Sequence, residues 1–455
     1  MKLHIKKTFN NVIDEFDPTS FIYVTGTAMA SSLLHTFPFP AYWLRVCSYI
    51  MFALGVLIFF YFHIIGTLQL LKYIRTRNIK GFFNKQFMNF DTNVFWGIYI
   101  IAFTGLINYL IQLSENELLH LKSGKGMIIF IYVLWWLDLS AALFVTWGIT
   151  FINWRIACNP SGLGKHANCK QKILSDNFKS SLFLSVIPIV VVAASGGLLA
   201  GSKLFLETVN RNNQLLIIVI TLLLWTHVFT FVIVVLALFY LNLYINKLPP
   251  ANAVFSLFIV LGPLGMGGFG ILLITKNIQT YVNIHYPLSA QSQVTLTLED
   301  VTKIAVPWAF RIVGLVFSLL ELTTGFFFTI ISVLSVLSYI RISNKANRST
   351  IVPLYQYHKG WWTLAFPCGS MALGVKEIYE QYNPYTPIDA IRIISVIYYG
   401  SSIVWCIVCL LGSLRYQILP FVFQIFGYDG TNLSLIKHKS KIQLYKSSLE
   451  KAGSD

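Results

Sequence analysis

Apolar residues in this chain fall into long runs, unlike the alternating or one-sided patterns of water-soluble elements. Stretches of about 20 residues, the length that crosses the roughly 30 Å hydrocarbon core of a bilayer, mark ten segments. Their limits are 16–36, 44–74, 93–113, 126–154, 181–201, 213–245, 252–275, 305–340, 361–381 and 387–418. Met1 to Asn10 is polar and basic, and no short apolar core with a cleavage site follows, so a removed signal peptide is not expected. The expected organisation is a cytoplasmic segment over 1–15, a ten-helix transmembrane domain over 16–418 and a basic cytoplasmic tail over 419–455.

The segments are of two kinds. The odd-numbered ones are short and carry 13 glycines in 108 residues, whereas the even-numbered ones carry eight in 161. Interior prolines, namely Pro188, Pro263 and Pro367, occur only in odd segments. Each even segment ends on an aromatic within an apolar or basic signature: Tyr73, Trp154, Tyr244, Tyr339 and Tyr416, separated by 81, 90, 95 and 77 residues. This is a helical hairpin repeated five times. Irregular backbone at membrane depth is tolerated where it is buried or lines a water-filled cavity. Five broken helices inside five smooth ones therefore predict an all-α polytopic membrane protein, with five hairpins in quasi-five-fold arrangement around a central pore.

Composition sharpens this picture. Of 455 residues, 56% are hydrophobic and 11% charged, against about 25% charged in soluble domains. Soluble enzymes, nucleic-acid binders and disordered scaffolds are thereby disfavoured, although the net charge is +16. With the N-terminus in the cytosol, 24 Lys and Arg and eight Asp and Glu fall on the cytoplasmic side. Nine basic and eight acidic residues then fall outside, and Arg311, Asp138 and Glu321 lie within segments. The positive-inside rule thus places both termini in the cytosol, where the excess meets anionic lipid and draws anions to the inner mouth. Cys158 and Cys169 share a cytoplasmic loop, the other cysteines lie in apolar segments, and no structural disulfide is expected. The sequons at Asn347 and Asn432 also fall on the cytoplasmic side.

Candidate chemistry is sparse. Gly265 to Gly270 matches the dinucleotide fingerprint, but inside an apolar segment rather than between a strand and a helix. Cys406 and Cys409 lack a trailing histidine or a second pair, and His63 and His227 are isolated. No metal site, cofactor or catalytic set emerges. Asp138 and Glu321 are costly in a bilayer and read either as helix–helix hydrogen-bonding groups or as proton-coupling sites. Arg311 reads as an outer-vestibule anion contact or an interfacial snorkelling residue. No odd segment has a basic residue in its middle, which suits a weak path of helix dipoles, hydroxyls and aromatic rings. Candidates for its lining are Gly26, Thr27, Ser31, Thr104, Pro188, Ser195, Pro263, Gly265, Pro367 and Ser370.

Several stretches resemble the fungal sulfite efflux pumps: FDPTSFIYVTG at Phe16, HTFPFPAYWLRVCSYI at His35, VLWWLDLS at Val133, NRNNQ at Asn210 and LYINKLPP at Leu243. LGPLGMGGFG at Leu261, AVPWAF at Ala305 and HKGWWTLAFPCGSMALG at His358 extend the likeness over roughly 16–418. The wider family holds fungal malate permeases, bacterial tellurite-resistance proteins and plant guard-cell slow anion channels, with trimers among its members. The resemblance implies ten helices as five hairpins around a pore, plugged by an aromatic of the ninth helix; Phe366, before Pro367, stands at that position. Phe95 is the nearest match to a second pore phenylalanine from the third helix.

The expected function is export of sulfite or bisulfite across the plasma membrane, driven by the membrane potential. The alternative is a malate permease or a general small-anion channel of the same fold. A membrane-embedded enzyme or a receptor does not fit the five-fold repeat.

Overall fold

The computed structural model describes residues 10–157, 180–251, 253–288, 297–343 and 357–419. Lys2, Lys6 and Lys7, the loop with Cys158 and Cys169, the sequon residues Asn347 and Asn432, and the basic tail from 420 onward lie outside these residues. Two compact units are distinguished, Asp17–Cys406 and a second drawn from Met1–Phe16 and Ile407–Asp455. In the second, the Ser413 hydroxyl donates to the Cys409 carbonyl at 2.8 Å, ahead of a π-turn at Leu414–Ile418.

The structure is helical, with no strand among the described residues. The principal helices are α1 (Ile22–His35), α2 (Tyr42–Arg75), α3 (Trp96–Glu117), α4 (Lys122–Leu143) and α5 (Ile187–Ala200). They continue as α6 (Arg211–Asn246), α7 (Leu261–His285), α8 (Leu298–Ser343), α9 (Ala365–Tyr382) and α10 (Asp389–Ser413). Seven described elements are long and apolar enough to cross a membrane, and α5 is a shorter apolar helix.

The odd helices have a shared start. α1, α5, α7 and α9 each follow a 3₁₀ turn, at Pro18–Phe21, Ser180–Ser185, Val254–Val260 and Lys359–Leu364. Before α3 the same i→i+3 pattern recurs, in bonds from the Gly97 amide to the Val94 carbonyl and from the Ile98 amide to the Phe95 carbonyl. Pro188, Pro263 and Pro367 fall within the first three residues of α5, α7 and α9. There the missing proline N–H leaves no bond of the helix unmade. The prolines thus mark a change from 3₁₀ to α winding, and the expected breaks lie at the ends of these helices.

Burial separates the two sets. The most apolar window of the element Val254–His285 is 100% buried and that of α3 is 67% buried, against 17% in α2 and 39% in α6. α1 packs on α3, α3 on α5, α5 on α7, α7 on α9, and α9 returns to α1, which closes a circuit of odd helices. The even helices lie against it: α2 on α1 and α3, α4 on α3 and α5, α6 on α5 and α7, α8 on α7 and α9. Glycine sets the spacing where these backbones come closest. A Cβ on Gly265 would overlap the Met371 amide and Ser370 of α9, and one on Gly97 would overlap the Leu184 carbonyl.

Hydrogen bonds from the outer helices seat on inner carbonyls. The Trp135 and Trp225 indoles donate to the Val192 and Gly267 carbonyls at 3.1 and 3.0 Å, and the Ser402 hydroxyl donates to the Ala365 carbonyl at 2.6 Å. Helix α8 begins at Leu298, ahead of the expected position 305, and its 46 residues extend about 69 Å at 1.5 Å per residue. Pro307 consequently lies inside this helix and not in its first turn.

Candidate functional site

Two cavities share walls made by the odd elements. The larger, of about 760 Å³, lies where the 3₁₀ turns meet the C-terminal end of α6 and the Lys247–Pro250 stretch. Its wall includes Ile22 and Thr25, Phe95 and Ile101, Leu184 and Ile187, Leu257 and Ile259, and Trp362, Phe366 and Pro367. Lys247, His358 and Lys359 also border it, and no carboxylate does among the described residues. The smaller cavity, of about 20 Å³, has room for about one water. It is lined from α1, α3, α5, α7 and α9 by residues that include Ser32, Asn108, Gln112, Val191, Phe269 and Leu373.

Phe366 and Thr25 belong to both walls. Phe366 is buried, at 8% exposure, and lines both cavities. Its position follows from local sequence: the 3₁₀ turn Lys359–Leu364 ends just before it, and Pro367 follows. Trp362 of that turn is held by its indole, which donates to the Tyr357 hydroxyl at 2.8 Å. Its ring covers Gly26, where a Cβ would overlap the ring.

His358 caps the same turn, accepting from the Gly360 amide through Nδ1 at 3.1 Å. Burial lowers its pKa from the ordinary 6.5. A neutral ring with its proton on Nε2 fits both facts, and leaves the standing positive charge at the mouth to Lys247 and Lys359.

A wide cavity bordered by Lys247 and Lys359 and a small one of polar and apolar lining share Phe366 and Thr25, in a molecule built of long apolar helices. The sequence model of the voltage-dependent anion channel family, SLAC1, matches residues 15–414. The chain belongs to this family. It is 43% identical over 437 residues to the sulfite efflux pump SSU1 of Saccharomyces cerevisiae, covering 94% of each chain. It is 25% identical over 435 residues to the sulfite efflux pump SSU1 of Candida albicans, covering 95% of this chain and 79% of the relative. A third sulfite efflux pump, from Arthroderma benhamiae, is 22% identical over 374 residues, with 82% and 84% covered. As a member of the SLAC1 family with several apolar spans, this is a multi-pass membrane protein of the transporter class.

The other residues singled out in this anion-channel sequence sit in three kinds of place. Phe95 and Pro367 are on the wide cavity's wall with Phe366. Gly26, Thr27, Thr104, Pro188, Gly265 and Ser370 meet neighbouring helices: Thr27 faces Gly55 of α2, and Pro188 faces Gly97. Each of three hydroxyls here donates to a carbonyl of its own helix, Thr27 to Tyr23, Ser31 to Ala28 and Ser370 to Pro367 at 2.7–2.9 Å, and Ser370 also reaches the Leu261 carbonyl of α7 at 3.1 Å. Ser195 is fully buried with its Oγ unpaired among the described residues. It is four residues past Val191 and three before Leu198, both on the small cavity's wall.

The charged candidates lie between helices. Asp138 is fully buried and meets the Thr104 hydroxyl at 2.6 Å. Glu321 lies behind α7, where a Cβ on Gly267 would overlap its carboxylate. Arg311 bonds Gln279 at 2.6 Å and the Gln381 carbonyl at 3.4 Å, with its guanidinium over Trp308 and Tyr382. None of the three is on a wall of either cavity. His227 accepts from the Trp147 indole at 3.1 Å, and His63 packs among Phe21, Phe59 and Tyr99.

Sequence reasoning missed Thr25, Ser32, Asn108, Gln112 and Phe269, all on the small cavity's wall. A signal existed in Asn108 and Gln112, two amides at i and i+4 in an otherwise apolar run, which puts them on one helix face.

Proposed function

We propose that this protein exports sulfite or bisulfite from the cytosol across the plasma membrane, through a single-subunit path lined by the odd helices and gated by Phe366. The observation that supports this reading is the shared position of Phe366, whose side chain lines both the wide cavity and the small one. With both termini in the cytosol, the wide mouth opens inward, and Lys247 and Lys359 concentrate anions there. The small cavity has no charged lining among the described residues, so an anion that enters is held weakly and leaves quickly. An interior-negative potential drives a monovalent anion outward by about 2.3 kcal/mol per 100 mV. Export then needs neither ATP nor a proton partner, in keeping with Asp138 and Glu321 standing off the cavity walls. The exposed apolar side chains of α2, α4, α6 and α8 face lipid. Sulfite is the anion named for the Saccharomyces and Candida relatives.

A dicarboxylate would carry two charges past a neutral constriction of about 20 Å³, and the desolvation cost favours the smaller monovalent ion. The test is reconstitution of purified protein into liposomes, with flux of sulfite, nitrate, chloride and malate measured at imposed voltages. Outward, voltage-dependent sulfite flux without an imposed proton gradient is expected. Malate flux that requires a proton gradient would replace this reading with the permease.

A further inference from the structure

Asn108 and Gln112 are the most polar side chains on the wall of the small cavity, and each is 91% buried, at 9% exposure. Among the described residues the side-chain oxygens of both lack a hydrogen-bond partner. Buried polar groups in folded proteins are ordinarily paired, and an unpaired one calls for an explanation. An oxygen left unpaired lacks a donor, which an anion cannot supply. Turned about its terminal torsion, each amide holds the same unpaired position with its NH2. On this cavity wall, which Phe366 shares, the missing partner is then an acceptor such as a passing anion. Each primary amide carries two donors and one acceptor, and rotation about its terminal torsion turns either end to the cavity. Ser32, across the cavity on α1, adds a hydroxyl. An anion that has shed water to pass a phenyl ring would meet neutral donors here and no fixed positive charge.

We infer that Asn108 and Gln112 form the anion-selecting station of this protein, favouring small oxyanions over halides. The inference rests on the proposed conduction path through the two cavities. Geometry supports oxyanion preference over simple charge selection: two amides one helical turn apart offer separate donors to separate oxygens of one ion. A spherical halide of comparable charge has no second oxygen for the second amide. Weak donors on both residues also release the ion quickly, where a lysine would hold it.

The experiment uses full-length protein in liposomes, in a Phe366→Ala background so that gate opening does not limit the current. Permeability of sulfite relative to chloride is read from reversal potentials at fixed pH. Asn108→Leu and Gln112→Leu are each expected to lower the sulfite-to-chloride ratio about tenfold to a hundredfold, as loss of one buried hydrogen bond to a charged group implies. Asn108→Ser, smaller and still a donor, should keep most of the preference. If the Leu variants do not yield folded protein, Asn108→Ser, Asn108→Ala and Gln112→Ala supply the same comparison. Unchanged ratios in a conducting background overturn the inference and leave the pore reading intact. Absence of anion current in the Phe366→Ala background itself overturns the pore reading.

Discussion

The ring of Phe366 lies 3.6 Å from the point where a side chain on Gly262 would begin, and Ile187 closes the same space from α5 at 3.5 Å. Glycine at 262 therefore leaves clearance beside the phenylalanine that lines both cavities. Phe366→Ala is expected to raise anion current about tenfold or more, by removing the ring from the junction. Gly262→Val should lower it by filling the clearance the ring needs to move. Single-channel or macroscopic currents, with surface expression measured in parallel, check both. Unchanged current in Phe366→Ala at normal surface density would dismiss the gate.

Asp138 and Thr104 give a prediction of the opposite kind, about stability and not transport. Thr104→Val keeps the shape of the side chain and removes the one hydrogen-bond partner that a fully buried carboxyl group has among the described residues. It is expected to destabilise the protein by about 1–3 kcal/mol, seen as a lower melting temperature in detergent. Sulfite flux at saturating voltage should stay within about twofold of wild type. A large change in proton dependence of flux would instead give Asp138 a coupling role.

His358 connects pH to the cap of the turn that leads to Phe366. Burial lowers its pKa below 6.5, so the unfolded chain takes up the proton first as pH falls. Stability is therefore full above about 6.5 and declines as pH drops toward the folded-state value. Protonation of Nδ1 would also displace the Gly360 amide that it accepts. His358→Asn keeps a capping acceptor and cannot titrate. Melting curves between about pH 7.5 and 5.5 should show a smaller drop for the variant than for wild type. Equal drops would assign the acid sensitivity elsewhere.

Much of the architecture was legible in order along the chain. Run length marked the apolar segments, and the contrast of Gly-rich with smooth segments separated what proved to be buried helices from exposed ones, as Val254–His285 and Tyr42–Arg75 show. Boundaries were less legible. The start of α8 lies at Leu298 because its first turns are polar, with Glu299 and Asp300, and escape a hydropathy reading. The 3₁₀ turns were hidden too, since they differ from α winding in bond pattern and not in composition.

The site was legible in part. Phe366 and Phe95 came from resemblance, and both are on the wide cavity's wall. The hydroxyl-bearing candidates were chosen by type, yet Thr27, Ser31 and Ser370 turn back to carbonyls of their own helices. A hydroxyl in an apolar helix finds a carbonyl one turn back, and one-dimensional sequence does not say which way it faces.

What the sequence by itself determined is therefore the apolar, helical character of the chain, because this depends on composition and run length alone. Tertiary structure decided which face of each buried helix meets a cavity. That choice rests on rotation about the helix axis, and close contacts at Gly97, Gly265 and Gly26 set it. Through those contacts Asn108 and Gln112 reach the small cavity, while Asp138, Glu321 and Arg311 are held between helices.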